Sequence, residues 1–260
     1  MKNEAVAPPT LVRALAEGGC VAPEEEAAEL IRAAAEGSRP IEELVARRLG
    51  GEPLAWITGF VRFCGLRVRV DPGVYVPRPH TQALARRGAS LLPSAGIGVD
   101  LCTGSGAVAA VLETARRGAT VLATDVDPAA VACARSNGVR ALEGSFADPL
   151  PASIRGRVDV MTAVVPYVPT EELHLLPRDV LAREPRHALD GGPGGTTFLE
   201  QVARSGADWL APGGRLLLEL GGDQSVVIAG TMEGAGLREI RVHRDRDGDA
   251  RAIEGRRTDG

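Results

Sequence analysis

Lysine is all but absent: Lys2 is the single one, and the rest of the positive charge is arginine. No chemistry follows from that bias. The net charge is only -4, so there is no bulk basic field to hold nucleic acid or an anionic membrane directly, and a nucleic-acid role would need a local patch. The four cysteines, Cys20, Cys64, Cys102 and Cys133, form no Cys-x-x-Cys pair and have no histidine at metal-ligand spacing. That argues against a zinc site and a disulfide framework, predicts no metal, and fits a reducing cytoplasm. No apolar run approaches the roughly 18 residues of a membrane span, and Met1 to Thr10 lack the charged and apolar regions of a signal peptide. A cytoplasmic protein without a membrane anchor is expected.

With 44% hydrophobic and 25% charged residues, the 260-residue chain has enough apolar content for a full core, and its punctuation divides it in two. Three short amphipathic helices are predicted at Thr10 to Glu17, Pro23 to Glu36 and Pro40 to Leu49, each opened by Pro or Thr and closed by glycine. From Phe63 to Val76 the alternation of Leu66, Val68 and Val70 with Arg67 and Arg69, followed by Asp71-Pro72-Gly73, predicts a strand, a turn and a return strand through Val74 and Val76. Apolar strands follow near Gly98 to Leu101, Thr120 to Thr124, Val139 to Glu143, Val158 to Val164 and Arg215 to Leu220. Helical stretches at Ala107 to Arg116, Pro128 to Asn137 and Thr196 to Leu210 separate some of them, which predicts a parallel doubly wound α/β sheet. Two last runs, Arg238 to His243 and Ala250 to Gly255, complete it as an antiparallel pair. The division expected is a helical domain over 1–60, a hairpin linker over 61–77 and an α/β domain over 78–260.

In such a sheet a ligand sits at the carboxyl ends of the central strands, against the first glycine turn and the helix that follows it. Here that turn is Asp100-Leu101-Cys102-Thr103-Gly104-Ser105-Gly106, where Gly104 and Gly106 are expected to let the backbone approach a ligand. Asp125, closing the second strand, is placed to accept hydrogen bonds from ribose hydroxyls. The Gly-x-Gly-x-x-Ala ending at Ala109 suits NAD as well as S-adenosylmethionine. Asp100, four residues before Gly104, matches the Asp-x-x-x-Gly-x-Gly form typical of S-adenosylmethionine methyltransferases, which also end in an antiparallel hairpin.

From about Gly51 onward the chain resembles the HemK/PrmC-type N5-glutamine methyltransferases. The motifs that carry the likeness are Gly51-Glu52-Pro53-Leu54-Ala55-Trp56-Ile57-Thr58-Gly59, Val76-Pro77-Arg78-Pro79-His80-Thr81, the glycine loop, Val165-Pro166-Tyr167-Val168-Pro169 and Glu184 to Gly192. The resemblance implies a Rossmann-like class I methyltransferase sheet, S-adenosylmethionine as cofactor with S-adenosylhomocysteine as product, and the Gly-Gly-Gln loop of a peptide chain release factor as partner. It implies that Asp100 and Cys102 to Gly106 (Cys102, Thr103, Gly104, Ser105, Gly106) lie against the cofactor's methionine and ribose. Asp125 and Val126 would then hold the nucleoside, with Ser145 and Phe146 beside the adenine. Val164, Val165, Pro166 and Tyr167 would line the methyl-acceptor pocket, with Arg78, His80 and Thr81 at its mouth.

Val164, Val165, His80 and Gly194 depart from the family pattern, and Ser145 stands where many methyltransferases place an acid for the adenine amino group. Val164 stands where the family's Asn-Pro-Pro-Tyr has asparagine, whose side-chain oxygen holds one acceptor N–H while the next backbone carbonyl, here that of Val165, holds the other. Leaving one buried N–H unpaired costs roughly 1–3 kcal/mol, up to about two-hundredfold in rate, so amide methylation is expected to be impaired. His80 replaces a glutamate and offers a general base for a hydroxyl or amine acceptor, and Gly194 lies where relatives often have aspartate. His174, His187 and His243 read as solvated or packing residues. Three functions stay open: methylation of a protein glutamine, methylation of a small-molecule amine, hydroxyl or carbon, and cofactor binding without transfer.

Overall fold

The computed structural model describes residues 7–37 and 39–258, so the part of the N-terminal reading that falls on Met1 to Val6 lies outside the described residues. Helices α1 (Pro9–Glu17), α2 (Pro23–Glu36) and α3 (Ile41–Leu49) form where the sequence places them, and a short α4 (Leu54–Thr58) follows. Proline opens α1 and α2, where a missing N–H costs nothing, and Gly18, Gly37 and Gly50 end the three helices. Their apolar faces meet around Leu15, Ala27, Leu30, Leu44 and Ile57. Arg48 of α3 reaches Glu26 of α2 at 2.6 Å, a largely buried ion pair.

The hairpin is real but displaced from its predicted position. β1 (Phe60–Phe63) pairs antiparallel with β2 (Leu66–Arg69) through a two-residue turn at Cys64 and Gly65. Both turn residues have positive φ, 50° and 83°, which matches the right-handed twist of the flanking strands. The Asp71-Pro72-Gly73 turn also forms, with Val74 N–H donating to the Asp71 carbonyl at 3.1 Å, but no return strand follows it. Pro77 and Pro79 remove two of the donors such a strand would need. Side chains pin the segment instead: Trp56 donates to the Val74 carbonyl at 2.9 Å, and Val76 N–H donates to Glu184 at 3.3 Å.

The rest of the chain supplies α5 (Thr81–Leu91), β3 (Ile97–Leu101), α6 (Ala107–Ala115), β4 (Thr120–Asp125), α7 (Pro128–Ser136), β5 (Ala141–Glu143), β6 (Val158–Ala163), α8 (Arg178–Arg183), α9 (Thr197–Gly206), β7 (Leu210–Glu219), α10 (Gln224–Gly234), β8 (Leu237–Arg244) and β9 (Ala250–Arg257). The seven strands lie in the order β5-β4-β3-β6-β7-β9-β8, parallel from β3 to β7, with β9 antiparallel to both neighbours. Helices α5, α6 and α7 pack Leu84, Leu112 and Val131 on one face, while α9 and α10 pack Val202 and Ile228 on the other. Central strands such as β7, with Leu216, Leu217 and Leu218 all buried, are accordingly apolar on both sides. The predicted helix to Leu210 stops at Gly206 because Trp209 already pairs with Val158 as β7 begins. Among the described residues no helix is long and apolar enough to cross a membrane.

The chain leaves β3 outward through β4 and β5, then returns to place β6 on the other side of β3. That reversal opens a crevice at the carboxyl ends of β3 and β6. The glycine loop and the Val164 to Tyr167 corner therefore meet there, in register through Leu101 and Ala163.

Candidate active site

Two cavities open at the crevice. The first, about 300 Å³, is lined by Cys102, Gly104, Asp125, Val126, Ser145, Phe146, Val164 and Pro166 together with Tyr75, Asp127, His187 and Phe198. The second, about 350 Å³, is lined by Arg78, His80, Val165 and Tyr167 and shares Tyr75, Val164 and Ala188 with the first. Of the residues singled out in the sequence, Thr81, Asp100, Thr103 and Ser105 lie on neither large cavity but on a small annex that also touches Cys102, Gly104, Tyr75 and Val164. Gly106 lies on none of these three cavities.

The loop is built from beneath. Asp100 is buried in β3 and accepts from Thr103 Oγ1 at 2.6 Å and from Thr162 Oγ1 at 2.7 Å. Burial pushes its carboxyl up to about 6, while the hydrogen bonds from Thr103 and Thr162 work the other way and favour the anion. Asp125 closes the loop from the side, taking Gly104 N–H on Oδ2 at 2.8 Å and Asp127 N–H on Oδ1 at 3.0 Å. Burial raises its carboxyl above the ordinary value, while the two N–H donors work the other way. Cys102 turns the chain with a positive φ of 52°, and burial pushes its thiol well up.

Gly104 has a φ of 56°, and a Cβ there would meet open space. Gly106 is more tightly held. A Cβ on it would lie 3.0 Å from Ala134 Cβ and from Val139 Cγ2, so packing on α7 and its φ of 81° both require glycine there. Gly106→Ala is therefore expected to lower stability by about 1–3 kcal/mol. Chemical denaturation would measure this, and an unchanged midpoint would contradict it.

The Val164 to Tyr167 corner is clamped by a glycine segment. Val168 N–H donates to Leu189, Gly191 N–H donates to Val168 at 2.8 Å, and Gln224 Nε2 donates to the Tyr167 carbonyl at 2.7 Å. A Cβ at Gly191 would lie 2.7 Å from Tyr167 Cα and one at Gly195 closer still to the Tyr167 carbonyl oxygen, so glycine at both positions lets the two backbones touch. At the mouth, Arg78 donates to Glu184 at 2.7 Å and lies over the Tyr75 ring, 4.8 Å from its centroid. His80 Nε2 stands 3.3 Å from both the Tyr167 hydroxyl and Glu219 Oε1.

Several lining residues escaped the sequence reading. Phe198 packs on Phe146 with centroids 6.0 Å apart, and Tyr75 forms part of the wall between the cavities. The chain has two Trp, two Tyr and four Phe, and half of these eight rings line the two cavities. That scarcity was a usable signal. Two of the histidines have named neighbours: His187, largely exposed, lines the first cavity 3.4 Å from Asp127, and His243 sits 3.0 Å from the buried Glu254.

Among known proteins, the chain is 35% identical over 219 residues to the release factor glutamine methyltransferase of Geobacter sulfurreducens, covering 82% of this chain and 76% of that one. It is 37% identical over 211 residues to the Bordetella pertussis protein of that name, covering 78% and 77%. To the one from Neisseria gonorrhoeae it is 36% identical over 239 residues, covering 90% and 83%. No family model matches the chain. The fold is similar to a methyltransferase from Pyrococcus furiosus at TM-score 0.53 and 21% identity, covering 75% of this chain and 91% of that one. It is also similar to the Thermus thermophilus 16S rRNA N2 G1207 methyltransferase at TM-score 0.51 and 18% identity, covering 77% and 44%. The chain thus belongs to the release factor glutamine methyltransferase family, and it is an S-adenosylmethionine-dependent methyltransferase.

Proposed function

We propose that the enzyme methylates the side-chain amide nitrogen of a glutamine in a protein, the Gly-Gly-Gln loop of a peptide chain release factor. The observation that carries the reading is the wall of Tyr75, Val164 and Ala188 common to two cavities, one beside the glycine loop and one beside Tyr167. An acceptor in the second cavity meets a cofactor in the first only at that wall.

The residues present fit the cofactor. Thr81 Oγ1 and Ser105 Oγ are buried without a hydrogen-bond partner, and both residues line the annex beside the loop. Buried hydroxyls are rarely left unpaired, and the amino and carboxylate groups of a methionine moiety would satisfy them. Asp125 would take the ribose hydroxyls, and Val126 and Phe146 would flank the adenine. When bound, the cofactor supplies a sulfonium-activated methyl group. The protein's own work is then alignment, because an amide nitrogen is a weak nucleophile and gains most from being held in line. The Val165 carbonyl would take one N–H of the amide.

The natural protein is expected to transfer labelled methyl to a release factor and to leave one with Gln→Ala in the loop unlabelled. Val164→Asn should raise kcat by no more than about fivefold, the low end of what one unpaired N–H costs; Val164 is only half-buried. Equal labelling of the two release factors would overturn the reading, and labelling of small amines or hydroxyls instead would replace it.

A further inference from the structure

The loss of an asparagine oxygen at position 164 raises the question of which group takes the second amide N–H. Thr162 is near in sequence but is buried in β6, with its hydroxyl donating to Asp100. Arg78 has no acceptor atoms. Tyr75 lies under the Arg78 guanidinium, 4.8 Å from its ring centroid, and burial keeps its phenol far above the ordinary range. The polar side chains left on the second cavity are His80 and Tyr167.

Behind both stands Glu219, at the end of β7 and 1% exposed. A carboxylate can only accept, so the Tyr167 hydroxyl donates its hydrogen to Glu219 Oε1, 3.2 Å away. His80 Nε2 stands 3.3 Å from both that oxygen and the Tyr167 hydroxyl oxygen, so a hydrogen it carries takes at most one of the two phenol lone pairs. A phenol whose hydrogen is committed inward has only its oxygen lone pairs left to offer outward. Burial and the Glu219 charge together hold the phenol un-ionised, so that oxygen stays a neutral acceptor.

We infer that the Tyr167 oxygen, turned outward by Glu219, receives the amide N–H that an asparagine at position 164 would otherwise hold. The inference rests on the glutamine-amide reading above. It makes Tyr167 a substrate-binding residue with a polar task, Glu219 a positioning residue that acts through it, and Val164 tolerable. Only a hydrogen bond is involved; no proton leaves Tyr167.

The test is a double-mutant cycle on the full chain, combining Tyr167→Phe with Val164→Asn and reading kcat on the release factor. Tyr167→Phe should lower kcat roughly ten- to a hundredfold while leaving the Kd for S-adenosylhomocysteine nearly unchanged and the chain folded. Val164→Asn should then raise kcat at least about ten times more in the Tyr167→Phe background than in the natural one, because each oxygen would cover for the other. Equal gains in the two backgrounds, or a Tyr167→Phe kcat within twofold of natural, would overturn the inference and leave the glutamine reading intact. A natural protein that labels no release factor overturns both.

Discussion

Asp125→Ala should raise the Kd for S-adenosylhomocysteine at least about a hundredfold while the chain stays folded. Two losses combine. A carboxylate that accepts ribose hydroxyls contributes about 1.5–3 kcal/mol per charge-assisted hydrogen bond, and about 3 kcal/mol already corresponds to two orders of magnitude in affinity. The same carboxylate ties down the Gly104 and Asp127 N–H groups, so its removal also frees the loop that must be preformed to bind. Asp125→Asn is expected to behave more like alanine than like aspartate. Its NH2 would have to face one of those two N–H groups, donor against donor. Calorimetric titration, with circular dichroism to confirm folding, decides the matter. A Kd within fivefold of natural for either variant would remove Asp125 from the cofactor site.

The sheet was legible because its strands announce themselves twice, by apolar runs and by glycine or proline punctuation at their ends. Ile97 to Leu101 and Val158 to Ala163 could hardly be anything else. The hairpin was misplaced because Asp71-Pro72-Gly73 is the stronger local turn signal, whereas Cys64-Gly65 makes a turn through a cysteine at positive φ that sequence statistics discount. Proline has positional meaning, and Pro77 and Pro79 should have demoted the return strand. The bulged start of β7 was invisible for a similar reason: Pro212-Gly213-Gly214 reads as a loop, yet Leu210 already pairs with Val158 across the irregularity.

At the site, the residues on the chain's own motifs were readable and the residues that complete the walls were not. Cys102, Gly104, Asp125, Ser145, Phe146 and Val164 line one cavity, as their positions at strand ends require. Glu219 is the instructive miss. It ends an apolar strand, so a sequence reading sees a charge at the sheet boundary, whereas the fold buries it behind Tyr167 and His80, residues separated from it by 52 and 139 positions. Such a cluster exists only after the sheet has brought the ends of β6 and β7 and the start of α5 together, and no spacing rule encodes it. Gly106 shows a packing demand, from Ala134 and Val139, that its motif does not announce.

Glu254→Ala is the substitution expected to cost most stability, about 3–5 kcal/mol, because it removes the shared anion of a buried charge cluster. The fully buried carboxylate on β9 takes Arg87 Nε of α5 at 2.7 Å, Arg215 Nη1 of β7 at 2.8 Å and His243 Nε2 of β8 at 3.0 Å. Arg215 keeps Glu239 at 3.2 Å, but no other acid is recorded for Arg87 or His243 among the described residues, and α5 loses its polar tie to the sheet. Burial pushes the Glu254 carboxyl up, but the hydrogen bonds and charges of Arg87, His243 and Arg215 outweigh it and hold the group below the ordinary 4.5. A carboxyl whose folded-state pKa is depressed contributes its stability above the unfolded pKa and loses it as pH falls through the folded one. The natural chain should therefore lose stability more steeply than Glu254→Ala below about pH 4.5, and the two unfolding curves should converge in acid. Denaturant titrations from pH 3 to pH 7 would show this, and parallel curves would mean that Glu254 is held by packing alone. Because α5 also presents Thr81 to the annex and follows His80 directly, loosening it should weaken cofactor binding in Glu254→Ala even under conditions where the chain remains folded.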